Sequence, residues 1–159
     1  MGKPAAADII SAMENRRFIV REAQVDEIVN LRHVVLRAGL PIETSYFERD
    51  SFPGSFHAGA FDQTNFCVGC ATLHLIPFES KPALKLRGMA VAEGWRKSGV
   101  GTALLKFIEN HAAEKLIRVL WCEGRTPAVP FYKKNGWQAV GEEYFVPTAG
   151  PHFKMFKEI

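Results

Sequence analysis

The sequence predicts an α/β fold in which helices pack on one central sheet. Three observations carry this. Short β-type runs alternate with helical ones along the chain. The segment 99–115 places Val100, Ala103, Leu104, Phe107, Ile108 and Ala112 on one helical stripe. Hydrophobic residues are 47% and charged residues 23% of 159 residues, enough for one packed domain and too apolar for disorder.

The elements follow in order. Residues 1–16 read as an N-terminal extension with a short helix over 7–15, and 17–159 as a single domain. Phe18–Arg21 is a strand. Ile28, Leu31, Val35 and Leu36 recur at helical spacing, and Gly39 and Pro41 end that helix. A short helix is expected near Tyr46 in the ambiguous stretch 42–55. Residues 56–61 and 66–76 form a hairpin about Asp62-Gln63-Thr64-Asn65, and 84–91 is a further strand. After the long helix, 117–122 is a buried strand. Thr126-Pro127 starts a helix with an N-cap followed by proline, and Asn135-Gly136 stops it. Residues 137–144 and 153–156 are strands separated by a loop with Pro147, Gly150 and Pro151.

Composition excludes several classes. Three cysteines do not make a disulfide scaffold. No apolar run approaches the ~20 residues of a membrane span, and the N-terminus lacks the apolar stretch of a signal peptide. A soluble, cytoplasmic protein is therefore expected. The net charge of +3 is unevenly spread: residues 1–80 carry −3, 81–118 carry +5 and 119–159 carry +1. The basic middle suits an anionic ligand or a solvated face. Its basic residues are not interleaved with aromatics, which argues against nucleic acid.

Within that basic segment, the strand 84–91 leads through Arg96-Lys97-Ser98-Gly99-Val100-Gly101-Thr102 into the long helix. A glycine-rich turn there aims free N–H groups outward, at the positive end of the helix dipole. Arg96 and Lys97 add full charges, so the loop suits a pyrophosphate. Glycine is expected because a Cβ would hold phosphate oxygens away from the amides. The loop lacks the Gly-Lys-Ser/Thr ending of a P-loop, and Leu104 stands where a dinucleotide fingerprint needs glycine. Plain turn chemistry is the competing explanation.

The run Arg96-Lys97-Ser98-Gly99-Val100-Gly101 resembles the Arg/Gln-x-x-Gly-x-Gly/Ala signature of the GNAT superfamily of N-acetyltransferases. Downstream, Ala128-Val129-Pro130-Phe131-Tyr132-Lys133-Lys134-Asn135-Gly136-Trp137 resembles that family's Ala-x-x-Phe-Tyr-x-x-x-Gly-Phe segment. The resemblance implies a mixed sheet of about six to seven strands, splayed between the fourth and fifth, with about four helices. It implies an acetyl-CoA site. The pantetheine arm would lie in the splay against Met89, Ala90 and Val91, with the pyrophosphate on Arg96 through Thr102. The Met89 N–H would suit the thioester oxygen as it gains negative charge. Tyr132 matches the general acid that protonates the departing thiolate, since a phenol with pKa ~10 keeps its proton at neutral pH. A core aromatic is the competing role for Tyr132.

The chain departs from the family pattern at three places, one of them the mild change to Trp137 where the family has Phe. Arg125 stands where an Asn is common, and Lys85 and Arg87 occupy the strand where some relatives carry a catalytic Glu. A primary amine with pKa ~10 is almost wholly protonated at neutral pH, so a base is needed. Glu123 is the first candidate, through water, then Glu143, then His152. Arg125, Glu143, His152 and Arg32 are candidate acceptor contacts. Turned inward, Arg32 would favour an acidic group on the acceptor; otherwise it snorkels off the apolar stripe.

Cys67 and Cys70 are expected on opposite faces of a strand, too far apart for a disulfide. They lack a second ligand pair for zinc, and no metal is expected. Cys122 is taken as a packed strand residue. The activity implied is acetyl transfer from acetyl-CoA to the amine of a small-molecule acceptor, with a homodimer among the assemblies the family permits. A peptide amine, a non-catalytic acyl-CoA-binding module and a nucleotide site stay open.

Overall fold

A computed structural model describes residues 17–159; the expected helix over 7–15 lies outside them. The elements run β1 (Phe18–Glu22), α1 (Val25–Leu36), β2 (Phe56–Asp62), β3 (Cys67–Leu75), β4 (Leu84–Val91), α2 (Val100–Glu114), β5 (Val119–Arg125), α3 (Val129–Lys134), β6 (Gln138–Val146) and β7 (Gly150–Glu158). They build one seven-stranded sheet in the order β1-β2-β3-β4-β5-β7-β6. The β4–β5 pair is parallel, and every other pair is antiparallel. A parallel pair needs a crossover, and α2 supplies it.

Helices cover both faces, which is why β3 is buried along nearly its whole length rather than at alternate residues. On one face Val100, Leu104, Leu105, Ile108 and Ala112 of α2 pack with Ala58, Ala60, Val68 and Leu73. On the other, Ile28 and Leu31 of α1 pack with Phe61, Cys70 and Ala90.

The structure differs from the sequence-based expectation in four places. The stretch 42–55 holds two single 3-10 turns, Ile42–Ser45 and Glu48–Ser51, not a helix. There the Asp50 carboxylate accepts the Phe47 N–H at 2.9 Å, and Arg32 takes the Ser45 carbonyl at 2.9 Å. Side-chain bonds thus supplement the short backbone turns, and three α-helices remain among the described residues. Second, Thr126 does not cap. It lies inside a 3-10 turn, and its hydroxyl donates to Glu143 at 2.9 Å. Third, β5 continues to Arg125 because β7 pairs with it that far. Fourth, Cys67 and Cys70 share a face. Ala60 pairs with Gly69 and Phe61 with Cys67. Val68 is the extra residue of a bulge that slips the alternation, so both thiols pack toward α1. All three cysteines are free.

The sheet is held open between β4 and β5. They pair only at Leu84 with Leu120, Lys85 with Trp121 and Leu86 with Cys122. Beyond that, β4 bulges where the β3 register shifts between Cys70 and Thr72. Gly88 sits in the bulge at φ 63°. A Cβ there would lie 2.9 Å from both Arg32 Nε and the Phe47 ring. Gly88→Ala therefore combines backbone strain with overlap and should cost about 1–3 kcal/mol in urea unfolding. Gly99→Ala, where a Cβ meets nothing within 4 Å, should cost only its backbone share, about 1 kcal/mol.

Candidate functional site

The gap left by the parted strands is the floor of the site. Past Leu86, the edge of β4 that faces β5 has no strand partner. The chain then makes a turn over Glu93–Trp95 and enters α2 through Arg96, Lys97, Ser98 and Gly99. Lys97 at φ 61° and Gly99 at φ 89° are left-handed, which bends the loop over the helix N-terminus. The first amides of α2 have no carbonyl partner within the helix. Arg96 and Lys97 are exposed and make no ion pair among the described residues. The Ser98 hydroxyl is engaged by the Trp95 carbonyl. Gly101 serves packing: a Cβ there would stand 2.9 Å from the Phe131 ring.

Two cavities meet here. The larger, about 1000 Å³, runs from the loop along the gap. Met89, Ala90, Val91, Arg96, Lys97, Gly99, Gly101 and Thr102 line it, whereas Ser98 does not and the Val100 side chain is in the core. The smaller, about 290 Å³, is lined by Phe47, Lys85, Arg87, Glu123, Arg125 and His152 among others. Both cavities share Leu36, Met89, Arg125, Ala128 and Tyr132.

Tyr132 on α3 is 5% exposed. Its ring rests over β5, where Gly124 leaves room: a Cβ there would be 3.4 Å from it. Burial pushes the phenol well above its ordinary pKa, and the neighbouring Cys122 thiol adds to this. Burial also pushes Cys122 up to about 12, so it is a protonated thiol and not a nucleophile. Glu123 extends from β5 with its side chain 41% exposed, 2.8 Å from Lys85 Nζ. Burial opposes its ionisation, but Lys85 and Tyr144 outweigh that and hold the carboxyl below its ordinary value.

Other sequence-derived candidates are placed differently. Glu143 is exposed, bonded to Thr126, and lines neither cavity. His152 is buried, with Nδ1 2.8 Å from the Gly150 carbonyl, so Nδ1 carries the proton and Nε2 is the acceptor. Arg125 donates to the Leu36 carbonyl at 2.9 Å, tying β5 to the end of α1. Arg32 is wholly buried and lines neither cavity. Its guanidinium meets Asp50 at 2.7 Å and 3.2 Å, Thr72 Oγ1 at 2.5 Å and the Ser45 carbonyl. Its charge is already spent on Asp50.

Sequence reasoning missed Asp50, Thr72 and His74. His74 Nε2 lies 3.0 Å from Asp50 Oδ1, the oxygen that Arg32 also reaches at 3.2 Å. One signal was present: Thr72 and His74 sit two residues apart on a strand otherwise rich in apolar residues, hence on one buried face. Asp50 itself left no signal, because it reaches them from the irregular stretch 42–55.

Residues 23–137 match the Acetyltransferase (GNAT) family. The chain belongs to that family. It is an acetyl-CoA-dependent acyltransferase by family membership. It is 33% identical over 142 residues to the uncharacterized N-acetyltransferase YitI of Bacillus subtilis, covering 88% of this chain and 95% of the relative. Its fold superposes on an aminoglycoside 6'-N-acetyltransferase complexed with coenzyme A. The TM-score is 0.71 at 18% identity, covering 88% of this chain and 96% of the other. A chain of the NatC complex bound to Gag peptide and CoA superposes with a TM-score of 0.74 at 16% identity. That match covers 90% of this chain and 99% of the other. No helix among the described residues of this acetyltransferase is long and apolar enough to cross a membrane.

The Arg32–Asp50 pair gives a stability prediction. Burial opposes ionisation of Asp50, but His74 and Arg32 outweigh it and hold its carboxyl far below the ordinary value. A depressed pKa contributes stability above the unfolded value near 4, and that stability is lost as pH falls through the lower folded value. Asp50→Asn should cost about 3–5 kcal/mol at neutral pH by stranding a buried guanidinium. In urea titrations, the variant should also lack part of the stability loss that the natural protein suffers below pH ~4.

Proposed function

We propose that this acetyltransferase moves the acetyl group directly to the primary amine of a small-molecule acceptor, with Tyr132 as the general acid. The observation that carries this is the position of Tyr132, buried at the junction of a long groove and a small cavity.

The long groove fits acetyl-CoA. Its mouth holds two cations, Arg96 and Lys97, that make no ion pair among the described residues and lie beside a helix N-terminus, the combination that binds a pyrophosphate. The amides from Gly99 to Thr102 would hold the phosphate oxygens. The open edge of β4 at Met89 and Val91 would pair with the pantetheine amides. Acetyl-CoA supplies the activated thioester. The small cavity, about 290 Å³, favours a compact acceptor over a peptide.

At the junction, the acceptor nitrogen bonds to the thioester carbon and the carbon–sulfur bond breaks. The Tyr132 hydroxyl, held protonated by burial, gives its proton to the departing sulfur. Glu123, ionised and partly open to solvent, takes the amine proton through water. The Met89 N–H would donate to the thioester oxygen as charge builds there.

Tyr132→Phe removes one oxygen and keeps the ring's packing. In a thiol-release assay with acetyl-CoA and an amine panel it should lower kcat by about 10²-fold, with CoA affinity unchanged by calorimetry. Unchanged turnover removes Tyr132 as the acid. CoA binding without turnover of any amine points instead to a non-catalytic acyl-CoA-binding module.

A further inference from the structure

The small cavity carries a surplus of positive charge that the transfer reaction does not need. Arg37, Lys85, Arg87 and Arg125 line it against one carboxylate, Glu123, which is paired with Lys85. Arg87 projects from β4 and makes no hydrogen bond and no ion pair among the described residues. Its guanidinium lies 4.5 Å from the centre of the Phe47 ring. That ring also carries the Arg32 guanidinium at 4.1 Å. Arg32 has Asp50; Arg87 has no carboxylate. Arg37, at the end of α1, donates its Nε to Thr44 at 3.3 Å, and among the described residues its two terminal nitrogens have no hydrogen-bond partner. Burial lowers the pKa of half-buried Arg87 first; the Glu123 and Asp50 carboxylates oppose this from a distance, and the like charges of Arg32 and Arg37 add to it.

Half-burying an unpaired guanidinium is costly unless something pairs with it. A planar fork with free donors is suited to bidentate contact with a carboxylate or phosphate. The site would repel a polycation, so an aminoglycoside-like acceptor does not fit it. We infer that the acceptor is a small amine bearing a compact anionic group, held by Arg87 and Arg37 while its nitrogen reaches toward Tyr132. This rests on the transferase reading for the orientation of the amine, though not for recognition of the anion. Arg125, fastened to the Leu36 carbonyl, braces the wall between the two cavities.

The test is calorimetric titration of the CoA-loaded protein with two matched pairs: β-alanine against propylamine, and phosphoethanolamine against ethanolamine. At least one amine that bears an anionic group should bind about tenfold tighter than its partner without one, and the pair that shows it tells carboxylate from phosphate. Arg87→Gln and Arg37→Gln should each erode that advantage, and Arg87→Lys should restore part of it. Unaltered CoA affinity reports that the variants are folded. Equal binding of the amines with and without the anionic group overturns the inference, as does an advantage that survives in both Gln variants. An anionic amine that binds tightly but yields no thiol with acetyl-CoA supports it and instead sinks the transferase reading. Propylamine acetylated as efficiently as β-alanine does the reverse.

Discussion

Everything functional in this fold depends on the parting of β4 from β5 after three paired residues. A continuous parallel ladder would satisfy both strands and leave no interior space. Here the ladder ends at Leu86 and Cys122, and the two strands find support elsewhere. β5 continues on β7 as far as Arg125 and His152. β4 continues on β3 only by bulging at Gly88. The unsatisfied edge of β4 and the open ends of the strands then define one groove, with α2 aiming its N-terminus at one end and α3 bringing Tyr132 to the other.

The bulge is not held by local sequence alone. Arg32 and Phe47 stand directly over Gly88, and Arg32 is fixed by Asp50, Ser45 and Thr72. One buried guanidinium thus joins α1, the 42–51 turns, β3 and the bulge. Replacing such a network with apolar residues can be neutral or even favourable, so its worth lies less in raw stability than in placement. It positions Phe47, and Phe47 in turn faces Arg87 at the acceptor cavity. The charge proposed to recognise the acceptor is therefore set beside a charge that is structurally spent.

The same contrast explains which residues could be read in advance. Strands β1 to β4, α1 and α2 were legible because their apolar periodicity is strong and their neighbours are close in sequence. The loop Arg96–Thr102 was legible because strand, turn and helix follow each other without interruption. Arg32 was legible as an arginine that either turns inward or snorkels, but not as a partner of Asp50, which lies 18 residues away in a stretch with no periodicity. The face shared by Cys67 and Cys70 was lost for a smaller reason. One bulged residue, Val68, shifts a period-two pattern by one step, and no propensity marks where that step falls.

By itself the amino-acid sequence determined the fold class, the basic loop at the helix start and the tyrosine that follows the fifth strand. These depend on contiguous residues, whose spacing controls their local geometry. Only the tertiary structure decided that Tyr132 lies where two cavities meet, that Glu123 is paired with Lys85, and that Arg87 makes no ion pair among the described residues. Those are relations between elements far apart in the chain, set by which strands stop pairing and which side chains the core has already used.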